Sequence, residues 1–152
     1  MNSFIRKAEE KDFCRISEIE IFNYRLNFYS IFKNDEFYFS ELNVLSMTEG
    51  YEKDKAALDE LFVYDDGAVK GFVRINGREI KKLFVEPILQ GNKIGKELLL
   101  FAMDEKQADI LWALEKNKRA VKFYERYGFY KTGNRKPEED TDEFLIEMKA
   151  GK

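Results

Sequence analysis

The sequence predicts an α/β fold in which a central, mixed and mostly antiparallel twisted sheet carries one parallel strand pair and is flanked by about four helices. Three observations lead there. The stretch ELFVYDDGAVKGFVRINGREIKKLFV at 60–85 sets apolar runs between the turn signals DDGA and NGR, the pattern of an antiparallel meander. A further apolar run, DILWAL at 109–114, follows roughly 24 residues after Val85 across a segment of helical periodicity, which fits a right-handed crossover between parallel neighbours. Two more strand-like runs, near 129–133 and 142–149, close the chain after a short helix.

Taken in order, SFIRKA at 3–8 reads as a short strand. A helix is expected from Glu9 to about Tyr29, with Phe13, Ile16, Ile19 and Leu26 near helical spacing. NDEFYFSELNVLSM begins a second helix, capped by Asn34 or Asp35. After the meander, Ile94, Leu98, Phe101 and Ala102 fall at i, i+4, i+7 and i+8, one face of a helix ending near Lys106. NKRAVKFYERY reads as a shorter helix stopped by Gly128 in a left-handed cap, and the polar loop NRKPEED separates the last two strands.

Composition narrows the function. With 152 residues, 44% of them hydrophobic, the chain suits one domain, 1–152, around one core. Lys plus Arg total 26 against 29 Asp plus Glu, and no local basic patch marks a nucleic-acid partner. Cys14 stands alone and cannot close an internal disulfide; it reads as a small core residue, and a reducing, cytoplasmic setting is expected. MNSFIRKAEEKDF lacks a signal-peptide core and no apolar run is long enough to span a membrane, so neither export nor membrane association is expected. There is no histidine, which deprives zinc sites and His-based triads of their usual ligand or base, and no metal is expected.

The junction VEPILQGNKIGKELL at 85–99 carries the chemistry. A strand ends at a proline and a glycine-bearing loop enters an amphipathic helix, whose unpaired N–H groups and partial positive charge suit a phosphate. Gly91 and Gly95 also fit a plain tight turn and a close helix contact, and both readings stand on this motif alone. A nucleotide P-loop is a poor match: three residues separate Gly91 from Gly95 where four are needed, and Glu97 occupies the hydroxyl position. The dinucleotide fingerprint fails too, because the strands before the loop read as antiparallel.

LFVEPILQGNKIGKELL resembles the acetyl-coenzyme A loop of the GNAT (GCN5-related N-acetyltransferase) superfamily, whose pattern is Gln or Arg, two residues, Gly, one residue, then Gly or Ala. Gln90 and Gly95 fall on that pattern, and Lys93 occupies the position usually held by the middle glycine. A second stretch, EKNKRAVKFYERYGFYKTG, is similar to the family segment in which an Asn precedes a helix carrying Phe-Tyr and then Gly-Phe, here Asn117, Ala120, Phe123, Tyr124, Gly128 and Phe129. The two motifs lie in family order about 27 residues apart, with ILWAL between them, and the element order fits from roughly 3 to 149.

The resemblance implies the GNAT acyltransferase fold and transfer of an acetyl group from acetyl-CoA to a primary amine, by direct attack through a tetrahedral intermediate. The diphosphate cradle would be the N–H groups of Gly91, Asn92, Lys93, Ile94, Gly95 and Lys96, beside Gln90. Lys93 is expected to offer its charge to phosphate, with a tightened loop and weaker binding as the other outcome. The pantetheine edge would be Leu83, Phe84 and Val85, on a strand that in the family splays from its parallel neighbour so that the cofactor arm inserts between them; the Val85 N–H would donate to the thioester oxygen. Lys81 and Lys82 disturb the alternation of that strand as a bulge would, or are simply two solvated edge lysines. Tyr124 would be the acid for the departing sulfur, or a packing residue; Asn117 would bind the cofactor arm, or cap its helix; Glu79 would be the general base, or a solvated turn residue with another carboxylate or a water chain in its place.

The acceptor, a small molecule or a peptide amine, is expected to lie against the first two helices and the late hairpin. Aromatics are dense there, from Phe22 to Phe39, and either line a pocket or subunit contact or pack the core. Acidic PEEDTDE at 137–143 could draw a cationic amine or stay solvated. Homodimers are frequent among relatives. The absent middle glycine also leaves open an acetyl-CoA-binding regulatory module without catalysis.

Overall fold

A computed structural model describes residues 4–151; Ser3, the first residue of the strand expected at 3–8, lies outside them. β1 (Ile5–Lys7) is followed by a 3-10 turn at Glu10–Asp12, α1 (Phe13–Asn27), the one-turn α2 (Tyr29–Phe32), a π-helical turn at Phe37–Glu41, α3 (Val44–Lys53) and the one-turn α4 (Ala57–Glu60). The meander follows as β2 (Leu61–Asp65), β3 (Val69–Asn76) and β4 (Glu79–Val85). A 3-10 turn at Pro87–Leu89 leads into α5 (Ile94–Lys106), then β5 (Ile110–Leu114), α6 (Lys118–Arg126), β6 (Phe129–Pro137) and β7 (Phe144–Ala150). The strands lie in the order β1-β2-β3-β4-β5-β7-β6, antiparallel except for the parallel β4–β5 pair. The mixed sheet and its single parallel pair are therefore as the sequence predicts.

Each face of the sheet is covered by different helices, which is why the two halves of the chain carry separate apolar patterns. On one face Val73, Ile75, Ile80 and Val85 meet Ile94, Leu98 and Ala102 of α5 together with Val121 of α6. On the other, Leu61, Val63 and Phe72 meet Phe13, Ile16 and Ile19 of α1 and Tyr51 of α3. The Gly77 turn has φ +61, which explains why Asn-Gly closes the β3–β4 hairpin. Gly71 instead permits close packing. A Cβ there would lie 3.0 Å from both a Leu98 methyl and the Phe84 carbonyl oxygen, so α5 packs directly on β3 backbone.

Several expectations need correction. The helix foreseen from Asn34 is broken: Asn34 Oδ1 accepts from Phe37 N–H at 3.0 Å and caps only a π turn, Leu42 is extended, and α3 starts afresh under Asn43, whose side chain accepts from Ser46 N–H at 2.9 Å. Leu26 is exposed, and so is Cys14, because α1 buries the stripe containing Phe13, Ile16, Ser17, Glu20 and Asn23. The loop NRKPEED is mostly strand: β6 runs on to Pro137 across a register shift between Lys131 and Arg135, where Gly133 sits at φ +96. No helix among the described residues is long and apolar enough to cross a membrane.

Candidate active site

The parallel pair forms only two registers, Glu79 with Ile110 and Ile80 with Leu111, before the strands part. Beyond that point β5 continues its pairing with β7 through Leu114, while β4 continues with β3 through Val85. The reason lies in β4. Arg74 faces Lys82 and Ile75 faces Ile80, so Lys81 is an extra residue, and this bulge bends the strand away from β5. A cleft of about 620 Å³ opens in the gap, lined by Lys81 through Val85 on one side and Leu111 through Leu114 on the other.

Strand geometry decides which backbone groups reach the cleft. Glu86 N–H donates to Lys70 O at 2.9 Å, so by alternation the peptide groups of Val85 and Leu83 turn away from β3 toward the gap. The same alternation turns Phe84 N–H and C=O toward β3, which leaves Phe84 only its side chain to offer, a correction to its expected part in the edge. Val85 O is already engaged, accepting from Asn23 Nδ2 at 2.8 Å.

At the open end of the cleft the loop 86–93 delivers the start of α5. Among the described residues the N–H groups of Gly91, Lys93, Ile94, Gly95 and Lys96 have no acceptor, and the first bond of the helix is Glu97 N–H to Lys93 O at 3.0 Å. Asn92 is the exception in this run, since its N–H donates to Leu89 O at 3.3 Å. Gly91 has φ +92 and Lys93 has φ +68 with ψ 4, so the loop turns twice through left-handed backbone. That conformation explains why glycine suits position 93, and lysine holds it at a cost of about 1–2 kcal/mol. A Cβ on Gly95 would meet Val85 and Phe123 at 3.5 and 3.6 Å, ordinary contacts, so alanine would fit there as well as glycine.

The remaining predicted residues separate into those at the cleft and one beside it. Tyr124 lines the cleft, with edge-to-face contacts to Phe123 and Phe129, and its hydroxyl has no hydrogen-bond partner among the described residues. Burial pushes this phenol up to about 12. Asn117 caps α6 through Oδ1, which accepts from Ala120 N–H at 3.4 Å, and its amide also lines the cleft. Gln90 lines it too, but its side-chain N–H donates to Asn23 Oδ1 at 3.1 Å, so its amide also ties the loop to α1. Glu79 stands at the closed end of the strand pair, outside the cleft lining, with its carboxylate 3.7 Å from the Lys81 ammonium.

Two residues on the buried face of α1 matter here and were not singled out by sequence pattern. Asn23, 2% exposed, bridges the Val85 carbonyl and the Gln90 side chain, so it holds the end of β4 and the loop in register. Glu20, 1% exposed, receives Lys82 Nζ at 2.7 Å and the hydroxyls of Tyr24 and Tyr51, while Lys82 also donates to Tyr51 Oη at 3.0 Å. Burial, then the nearby Glu20 charge, raises both phenols, so they stay protonated as donors. The signal was present as polar residues among Ile16 and Ile19 on an apolar helix face, which is informative when their partners are known.

A sequence profile described as an acetyltransferase (GNAT) domain matches residues 30–149. Among solved structures, apo YjaB from Escherichia coli superposes with a TM-score of 0.77 at 20% identity, covering 96% of this chain and 95% of that one. The PaiA N-acetyltransferase of Thermoplasma acidophilum, solved in complex with coenzyme A, gives 0.64 at 22% identity over 98% and 99% of the two chains. YncA, a putative acetyltransferase of Salmonella typhimurium solved with acetyl-CoA, gives 0.63 at 20% identity over 95% and 90%. At these identities the structures establish the shared fold, and the profile, spanning most of the chain, establishes the family: this chain belongs to the GNAT acetyltransferases.

Proposed function

We propose that this chain transfers an acetyl group from acetyl-CoA to a primary amine. The observation that carries the reading is the coincidence, in one cleft, of a splayed parallel strand pair with five unpartnered N–H groups at the start of α5. An extended pantetheine arm has peptide-like amides that can bond to the cleft-facing groups of β4, as an added strand would. A diphosphate suits the five N–H groups, and Lys93 and Lys96 line the same end of the cleft. The residues present fit this donor, which two of the structural neighbours hold as coenzyme A or acetyl-CoA.

In this reading the amine nitrogen attacks the thioester carbonyl, the C–S bond breaks, and amide and free thiol leave. The N–H groups of Leu83 and Val85 face the gap and are the donors available to the oxygen that gains charge in the tetrahedral intermediate. Tyr124 is protonated throughout the working pH range. A phenol at about 12 is a weaker acid than a thiol near 8.5, so full proton transfer to the sulfur is uphill by about 3–4 pK units. Its role is therefore a hydrogen bond to the departing sulfur, a modest contribution. The base is Glu79 acting from the closed end of the pair, through water, because its side chain does not line the cleft.

The test is a thermal-shift series with acetyl-CoA, coenzyme A and ATP, then an amine panel read by free-thiol release. Stabilisation by both coenzyme A forms together with amine-dependent thiol release supports the reading. Stabilisation without turnover on any amine would make the chain a binding module, and a response to ATP alone would overturn the donor assignment.

A further inference from the structure

The charged residues that line the cleft differ in whether they are paired. Lys93 and Lys96 at the start of α5 and Arg119 and Arg126 on α6 line it without ion-pair partners among the described residues, whereas Lys82 is paired to Glu20 and Lys81 to Glu79. The only carboxylate lining the cleft among the described residues is Glu138, from the turn between β6 and β7. It is half-buried and forms no ion pair there. Its main chain is pinned by Glu138 N–H to Glu143 O at 2.8 Å and by Thr141 Oγ1 donating to Glu138 O at 2.8 Å. Among the described residues one carboxylate oxygen alone is engaged, by the N–H of Glu139 at 3.2 Å.

Glu138 shares the cleft with aromatic side chains. Its charge acts on the phenols of Tyr24 and Tyr38, and Tyr24, Phe28 and Phe32 line the same cleft. Tyr24 stacks on Phe28 with ring centroids 5.3 Å apart. An unpaired carboxylate in a cleft that also presents aromatic side chains suits an alkylammonium, which gains an ion pair, contact for its methylenes and cation–π attraction. Yet the nitrogen that attacks a thioester must be neutral. A monoamine anchored to Glu138 by its own charge would be held in the unreactive form, so a second, non-reacting ammonium is needed to use this carboxylate productively.

We infer that the acceptor is a small diamine or polyamine, whose distal ammonium is held by Glu138 against the Tyr24, Phe28 and Phe32 wall while its other nitrogen reacts. This rests on the amine-acetylating reading above. The test compares 1,4-diaminobutane with n-butylamine, on the wild type and on Glu138→Gln, by turnover and by calorimetric binding to the coenzyme A-saturated protein. The wild type should prefer the diamine about tenfold or more, and Glu138→Gln should raise its KM and Kd about tenfold with little change in kcat, as loss of one charge-assisted hydrogen bond implies. Glu138→Asp, which keeps the charge, should retain most of the preference, and both variants should bind coenzyme A as the wild type does. Equal handling of the two amines, or a diamine preference that survives Glu138→Gln, overturns the inference. If no amine is acetylated, the proposed function fails, and diamine binding that depends on Glu138 still upholds the cation site, whereas binding that does not depend on it removes that site too.

Discussion

Replacing Lys93 by glycine separates two effects that share one residue. Lys93 sits at φ +68 and ψ 4, a left-handed conformation that costs a residue with a Cβ about 1–2 kcal/mol. Glycine removes that cost but loses more backbone freedom on folding, about 0.5–1 kcal/mol. The net expectation is a gain of about 0.5–1 kcal/mol, which for a chain of this size raises Tm by about 1–4 °C. Binding should move the other way. The exposed ammonium at the mouth of the cradle adds the equivalent of a surface ion pair, so its loss should weaken acetyl-CoA affinity about two- to fivefold at low salt, less as salt screens it. Lys93→Ala keeps the strained backbone and loses the charge, so it should weaken binding equally without raising Tm. Differential scanning calorimetry and titration calorimetry on the three proteins read both quantities. If Lys93→Gly binds acetyl-CoA as tightly as the wild type or more so, the ammonium has no part in phosphate recognition; if its Tm does not rise, the left-handed backbone at Lys93 carries no such cost.

Other expectations follow from the same geometry. Tyr124→Phe should lower kcat about ten- to a hundredfold with little change in KM for acetyl-CoA, and the wild-type rate should show no ionisation of this phenol below about pH 10; unchanged turnover removes the hydroxyl from the mechanism. Glu20→Ala leaves Lys82 and two phenols without their shared acceptor, which should cost about 2–4 kcal/mol in urea unfolding; a loss under about 1 kcal/mol would show that the cluster does not hold α1 to β4. Stability should hold above about pH 4 and fall as acid is added, because Asp12, Asp54 and Asp65 are all held below the ordinary carboxylate range. For Asp12 burial pushes upward, and hydrogen bonds from Arg6 and Glu9 N–H outweigh it; Arg74 lowers Asp54, and Gly67 N–H with Arg6 lowers Asp65. Depressed carboxylates bind protons more readily once unfolded, so a Tm that stays flat from pH 5 to about 2.5 would contradict this assignment.

What the sequence made legible were features written in local periodicity. The meander, the α5 stripe and the crossover to β5 each rest on residues within one or two elements, and the structure reproduces them, including the Lys81 bulge that opens the cleft. The π turn at 37–41 was hidden because its aromatics also fit helical spacing, and β6 because Gly133 and Pro137 punctuate a strand that bulges rather than stops. In the site, the loop and Tyr124 could be located from motif spacing. Asn23 and Glu20 could not, because their meaning lies in Val85, Gln90 and Lys82, residues distant in the chain that only the fold brings to α1. Side-chain polarity on a buried helix face was the available sign, and it says that a partner exists without saying which.

We expect backbone at the start of α5 and on the splayed edge of β4 to hold the acetyl donor. Amide resonances of isotope-labelled protein titrated with acetyl-CoA test it directly. The largest shifts should fall on Gly91, Lys93, Ile94, Gly95 and Lys96 and on Leu83 and Val85, with smaller ones at Asn92 and Phe84, whose N–H groups are already committed. Saturable binding that leaves those seven amides unmoved would show that the donor is held elsewhere.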